Sequence, residues 1–145
     1  MSIELIMPSQ YGLETEGAEW GWTDIIYNDQ LEDVCLKRLH LRGAAGSPIQ
    51  RYPDSGRVLT CEEGQLIVEA LTDQDDGALL PSQLGMMIGA DRVLVPAGCS
   101  IRIARNTWYR ISTGVATVVV EATRYHDLAK RETAETWEEV YEREA

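Results

Sequence analysis

The stretch VLTCEEGQLIVE, residues 58–69, sets two short runs of Val, Leu, Thr and Ile on either side of Gly64. Runs of this composition read as half-buried strands, and a glycine between them supplies the positive φ of a tight reversal. The segment predicts a β-hairpin turning at Gly64. Outward from it, the same strand signals recur as WTDIIYN, VCLKRLHLR, GRVLTCEE, QLIVEAL, DRVLVPAG, SIRIAR, WYRIS and ATVVVEATRY. Gly, Pro, Asn and Asp punctuate them. Short strands at roughly ten-residue spacing predict an all-β sandwich or barrel, and the intervening helices of a doubly wound α/β fold are missing.

Two further segments complete the organisation. Residues 71–91, LTDQDDGALLPSQLGMMIGAD, read as a loop joining two strands. The tail RETAETWEEVYEREA places Ala134, Trp137, Val140 and Tyr141 at helical spacing, which predicts a helix over about 131–144 capped by Thr133. Its apolar stripe should pack on the outside of the barrel or on a partner subunit. The expected organisation is one domain over 1–145, with the barrel at about 20–124 and the helix after it.

Composition narrows the function. The chain has 145 residues, 44% hydrophobic, with a formal charge of -11. Such a balance argues against nucleic-acid and anionic-membrane surfaces, which require basic patches. The first ten residues, MSIELIMPSQ, lack the basic start and apolar run of a signal peptide, and no segment approaches the roughly 18 apolar residues of a membrane span. Cys35, Cys61 and Cys99 form no CxxC pair and no even-numbered framework, as suits a reducing compartment. A soluble, cytoplasmic protein is expected. Its charge is uneven: residues 1–36 carry eight acids and no Lys or Arg, whereas 37–124 hold ten bases against nine acids.

Two segments, SPIQRYPDSGRVLTCEEGQLIVE (47–69) and DRVLVPAGCSIRIARN (91–106), resemble the paired motifs of the cupin superfamily. The hairpin at Gly64 matches the end of the first motif, and Pro96-Ala97-Gly98 matches the Pro-x-Gly opening of the second. The resemblance implies a jelly-roll β-barrel, here with a C-terminal α-helix. More narrowly, the chain resembles the cupin domain of type II mannose-6-phosphate isomerases, and WGWTDIIYNDQLEDVCLKRLHLRGAAG resembles that family's first strands.

In that family a Gln-x-His pair, a Glu five residues on and a His after Pro-x-Gly hold a metal ion. Seven residues before Gly64 stands Arg57; five and seven residues further back stand Tyr52 and Gln50; three residues past Gly98 stands Ile101. Of the donor set only glutamine is retained. A guanidinium and a sec-butyl group donate no electron pair, and arginine adds permanent positive charge, so no metal and no other cofactor is expected. His40 and His126 are read as a strand and a loop residue.

Strand alternation then defines the altered cavity. Gln50 and Tyr52 should face inward together, Leu59 and Cys61 should follow Arg57, and Arg105 should share the inward face of Ile101 and Ile103. Gln50, Tyr52, Arg57, Ile101 and Arg105 are the candidate ligand-binding residues. Arginines with an amide and a phenol suit a small anionic, sugar-like molecule such as a sugar phosphate or nucleotide sugar. An alternative is a metal-independent sugar isomerase or epimerase with Tyr52 as acid or base and His40 as its partner. A third is a noncatalytic structural or assembly subunit, its cavity filled by an ion pair from Arg57 to Asp54 or Glu121. His40 shares one strand face with Arg38 and Arg42, opposite Cys35, Leu39 and Leu41. A homodimer is expected, because exposed edge strands are commonly covered by a second copy.

Overall fold

The computed structural model describes residues 3–8, 10–14, 19–71, 91–125 and 130–144. Eleven strands are formed among them: β1 (Leu13–Glu14), β2 (Gly21–Asp29), β3 (Val34–Leu41), β4 (Ile49–Arg51), β5 (Arg57–Glu63), β6 (Gln65–Ala70), β7 (Asp91–Pro96), β8 (Ser100–Ile103), β9 (Tyr109–Ser112), β10 (Thr117–Thr123) and β11 (Glu132–Ala134). One helix, α1 (Trp137–Glu144), follows. The strands make two antiparallel sheets, ordered β1-β2-β3-β10-β5-β8 and β11-β4-β9-β6-β7.

The predicted hairpin is present, with β5 and β6 joined through Gly64 at φ 81°. A Cβ there would lie 2.4 Å from the Ala116 carbonyl oxygen and 2.5 Å from Thr117 Oγ1, so both the turn and the close approach require glycine. Because β5 and β6 enter different sheets, this turn links the two layers at one edge of the core. The Pro96-Ala97-Gly98 segment reverses the chain from β7 into β8 in the same way.

Alternation fills the space between the sheets. Leu39, Leu41, Leu59, Cys61, Ile103 and Val119 from the first sheet meet Leu66, Val68, Val95, Tyr109 and Ile111 from the second. Burial of each large aliphatic side chain contributes about 1.5–3 kcal/mol, which makes this layer the main source of stability.

The C-terminal region departs from expectation. Residues Glu132–Ala134, placed inside the helix by spacing, instead form β11 and pair with β4. The helix starts at Trp137, and its cap is Thr136, not Thr133: Thr136 Oγ1 accepts from Glu139 N at 3.1 Å. Pairing with an open strand edge outweighs local helical preference for those three residues. The stripe does pack on the outside of the barrel, where Trp137, Val140 and Ala134 cover Ile49 and Trp108. Glu144 locks the end of the helix by accepting from Trp108 Nε1 at 3.0 Å and from Arg51 Nη1 at 2.6 Å.

Residues 72–90, most of the segment read as a loop over 71–91, lie outside the described residues, as does His126; Asp91 opens β7. Among the described residues no helix is long and apolar enough to cross a membrane.

Candidate functional site

Arg57 opens β5 and points between the sheets, with its side chain only 2% exposed. Its inward course follows from strand parity, since Leu59 and Cys61 at alternate positions are also buried. Nη1 donates to Glu121 Oε2 at 3.2 Å, and Cζ lies 3.4 Å from the ring centroid of Tyr52 and 5.8 Å from that of Tyr109. Nη2 is buried and makes no hydrogen bond among the described residues. Of the two acids named from sequence, Glu121 on β10 is the partner; Asp54 is exposed.

Gln50 and Tyr52 behave as alternation predicts. Gln50 is buried on β4 and donates from Nε2 to Tyr109 Oη at 3.3 Å. Tyr52 packs against the inner core, and so does Ile101, which pairs in register with Leu59. Four of the five candidate ligand-binding residues therefore line one inner surface around Arg57.

Arg105 does not. β8 ends at Ile103, and the chain turns through Asn106, whose backbone N donates to the Tyr52 carbonyl at 2.8 Å. Arg105 lies in that turn and is exposed, so the parity argument stops two residues short of it. His40 is also elsewhere: it projects from the outer face of β3, stacks on Trp22 at 4.5 Å and contacts Asp24 Oδ2 at 3.0 Å. The body of the sheet separates it from Tyr52, which removes it as a proton-transfer partner.

Two inner residues were not among the candidate site residues. Tyr109 is 2% exposed and completes the wall opposite Arg57. Lys37 is buried on β3 and faces Glu121 in register on β10. Alternation from Cys35 to Leu39 already assigned Lys37 to the inner face, so the signal was present.

Electrostatics follow from burial. Desolvation works against the Arg57 charge, but Tyr109, Glu121 and Tyr52 outweigh it and raise the guanidinium above its ordinary pKa. Burial pushes the Tyr109 phenol well above its usual range, with Arg57 pulling the other way and Glu121 adding to the rise. At neutral pH the site therefore holds a protonated Arg57 and a neutral Tyr109.

The sequence resemblance to type II mannose-6-phosphate isomerases implies a metal at this place. The side chains here fit one poorly: Arg57 and Ile101 offer no donor atom, which leaves only the amide oxygen of Gln50 and the phenol of Tyr52, and Arg57 adds a fixed positive charge. Among the described residues no three His, Cys, Asp or Glu side chains converge.

No protein-family model matches the sequence, and no curated protein matches it either. Solved structures do. KdgF from Halomonas sp. superposes with TM-score 0.62 at 7% identity, covering 85% of this chain and 95% of that one. The Schizosaccharomyces pombe Cnp3 cupin domain gives 0.58 at 9% identity, over 81% and 70%. A recombinant oxalate oxidase in complex with glycolate gives 0.55 at 15% identity, and the chain, covered over 77%, spans 54% of its length. Identities this low speak for architecture and not for activity. Two antiparallel sheets, the reversals at Gly64 and Gly98, and these superpositions together establish that the chain has the cupin jelly-roll fold.

Proposed function

We propose that the barrel binds a small anionic, hydroxylated molecule at Arg57, without a metal ion. The observation that carries this reading is Arg57 Nη2, a charged donor buried with no hydrogen-bond partner among the described residues. Leaving such a donor unsatisfied costs about 1–3 kcal/mol, and an incoming carboxylate or phosphate oxygen would offset it. Gln50, Tyr52 and Tyr109 supply amide and phenol groups for ligand hydroxyls beside it. The oxalate oxidase neighbour in complex with glycolate supports the class, a small hydroxy acid bound by a protein of similar fold. Sugar acids and sugar phosphates share that chemistry.

The Arg57–Glu121 ion pair favours a second reading, in which the pair fills the barrel and the protein is a noncatalytic structural subunit. A thermal-shift screen separates the two, because a ligand that binds only the folded state raises its melting temperature. Glycolate, sugar acids, sugar phosphates and nucleotide sugars form the panel. A rise for one class in the parent protein, lost in Arg57→Met, supports binding; no rise across the panel leaves the structural reading. The likeness to mannose-6-phosphate isomerases remains one of turn motifs, and isomerisation at Tyr52 would have to proceed without His40.

A further inference from the structure

Arg110 leaves β9 on the face opposite to Tyr109 and Ile111, away from the barrel interior. It lines an open cleft of about 920 Å³ on the outer side of the second sheet, bounded by β4, β9, β11 and α1. Arg131, just before β11, and Arg143, in the last turn of α1, line the same cleft. The chain carries 13 Lys and Arg against 24 Asp and Glu, so three arginines from three elements at one place run against its composition.

Two buried donors in this region lack an acceptor among the described residues. One is Arg110 Nε: Glu69, its partner in register on β6, accepts from Nη2 alone, at 3.1 and 3.2 Å. The other is Nε1 of Trp137, which packs with Ile49 and Ala134 at the floor of the cleft. Both call for an acceptor that the acids of the lining do not supply. Glu139 Oε1 is taken by Arg143 Nη2 and Oε2 by the Glu135 backbone N at 2.9 Å, and Glu135 is exposed.

We propose that this cleft binds a small phosphate ester, its phosphoryl oxygens held by Arg110, Arg131 and Arg143 and its carbon skeleton laid over Ile49 and Ala134. A carboxylate has two oxygens and fills one guanidinium fork, whereas three guanidinium groups lining one cleft match the three oxygens of a phosphoryl group. Clefts of about 300–1,000 Å³ hold whole small molecules, so the space exceeds what a bare phosphate ion fills. The lining sets three guanidinium groups against two carboxylates, the reverse of the balance of the whole chain, so an anion that the rest of the surface repels is admitted there. The second sheet separates the cleft from Arg57, and the proposal is independent of what the barrel binds.

Isothermal titration calorimetry of the full chain with ribose 5-phosphate and with inorganic phosphate tests it. Binding of ribose 5-phosphate should persist in the double variant Arg57→Met, Glu121→Leu, which removes the barrel arginine. It should weaken about tenfold or more in Arg131→Met and in Arg110→Met, each of which deletes a charge-assisted contact. Inorganic phosphate has no skeleton to lay over the floor and should bind more weakly. No binding of ribose 5-phosphate at about 10 mM would overturn the proposal. So would binding that is lost in the double variant yet kept in both single variants, since it would then lie in the barrel. Equal affinity for the two probes would overturn the assignment to an ester. If Arg110→Met fails to fold because Glu69 is stranded, Arg131→Met decides the matter, because Arg131 is exposed.

Discussion

Arg57 on β5 and Glu121 on β10 meet at 3.2 Å inside the barrel, and these two strands are hydrogen-bonded neighbours in the first sheet. A fixed cation and its own counter-ion thus occupy this inner position. Their energetics are those of a buried pair, where the loss of one partner matters more than the loss of both.

Glu121→Gln should therefore destabilise the fold by about 3–5 kcal/mol, because Arg57 keeps its charge in a dry interior. The double variant Arg57→Met, Glu121→Leu should recover most of that loss. Urea denaturation of the three proteins measures both effects, and equal losses in the single and double variants would contradict the account.

Tyr109 makes stability fall at alkaline pH. Its folded pKa is raised, so the unfolded chain releases the phenolic proton first, at about pH 10. Stability from this group is complete below that pH and is lost as pH climbs toward the folded value. In Tyr109→Phe the slope of unfolding free energy against pH above about 10 should flatten, alongside a pH-independent loss from the missing Gln50 hydrogen bond.

The helix cap is testable on its own. Thr136→Ala removes the acceptor for Glu139 N and should cost about 1 kcal/mol, whereas Thr133→Ala, on exposed β11, should cost less. Thermal melts that rank the two the other way would return the cap to Thr133.

Thiol chemistry should count one fast cysteine. Cys99 is exposed, whereas Cys35 and Cys61 are buried and desolvation raises the Cys61 thiol pKa. A disulfide reagent should label one thiol quickly in the native protein and the other two only on unfolding. Rapid labelling of all three would show that the barrel opens readily.

Much of the fold was legible because its signals are local. Gly64 and the Pro96-Ala97-Gly98 turn mark reversals by residue type, and period-two alternation sends Arg57, Leu59 and Cys61 inward together. The short strands β4 and β11 were not legible, since three residues carry too little pattern to outweigh a neighbouring motif. Helical spacing at Ala134 misled for the same reason.

Chain chemistry alone was enough to show that Arg57 and Ile101 offer a metal no donor atom, because donor capacity is a property of each side chain. Three-dimensional packing chose Glu121 over Asp54 as the counter-ion, ended β8 before Arg105 and set His40 on the far side of the sheet from Tyr52. Those outcomes depend on where strands stop and which strands lie side by side, and contacts between residues distant in the chain decide both.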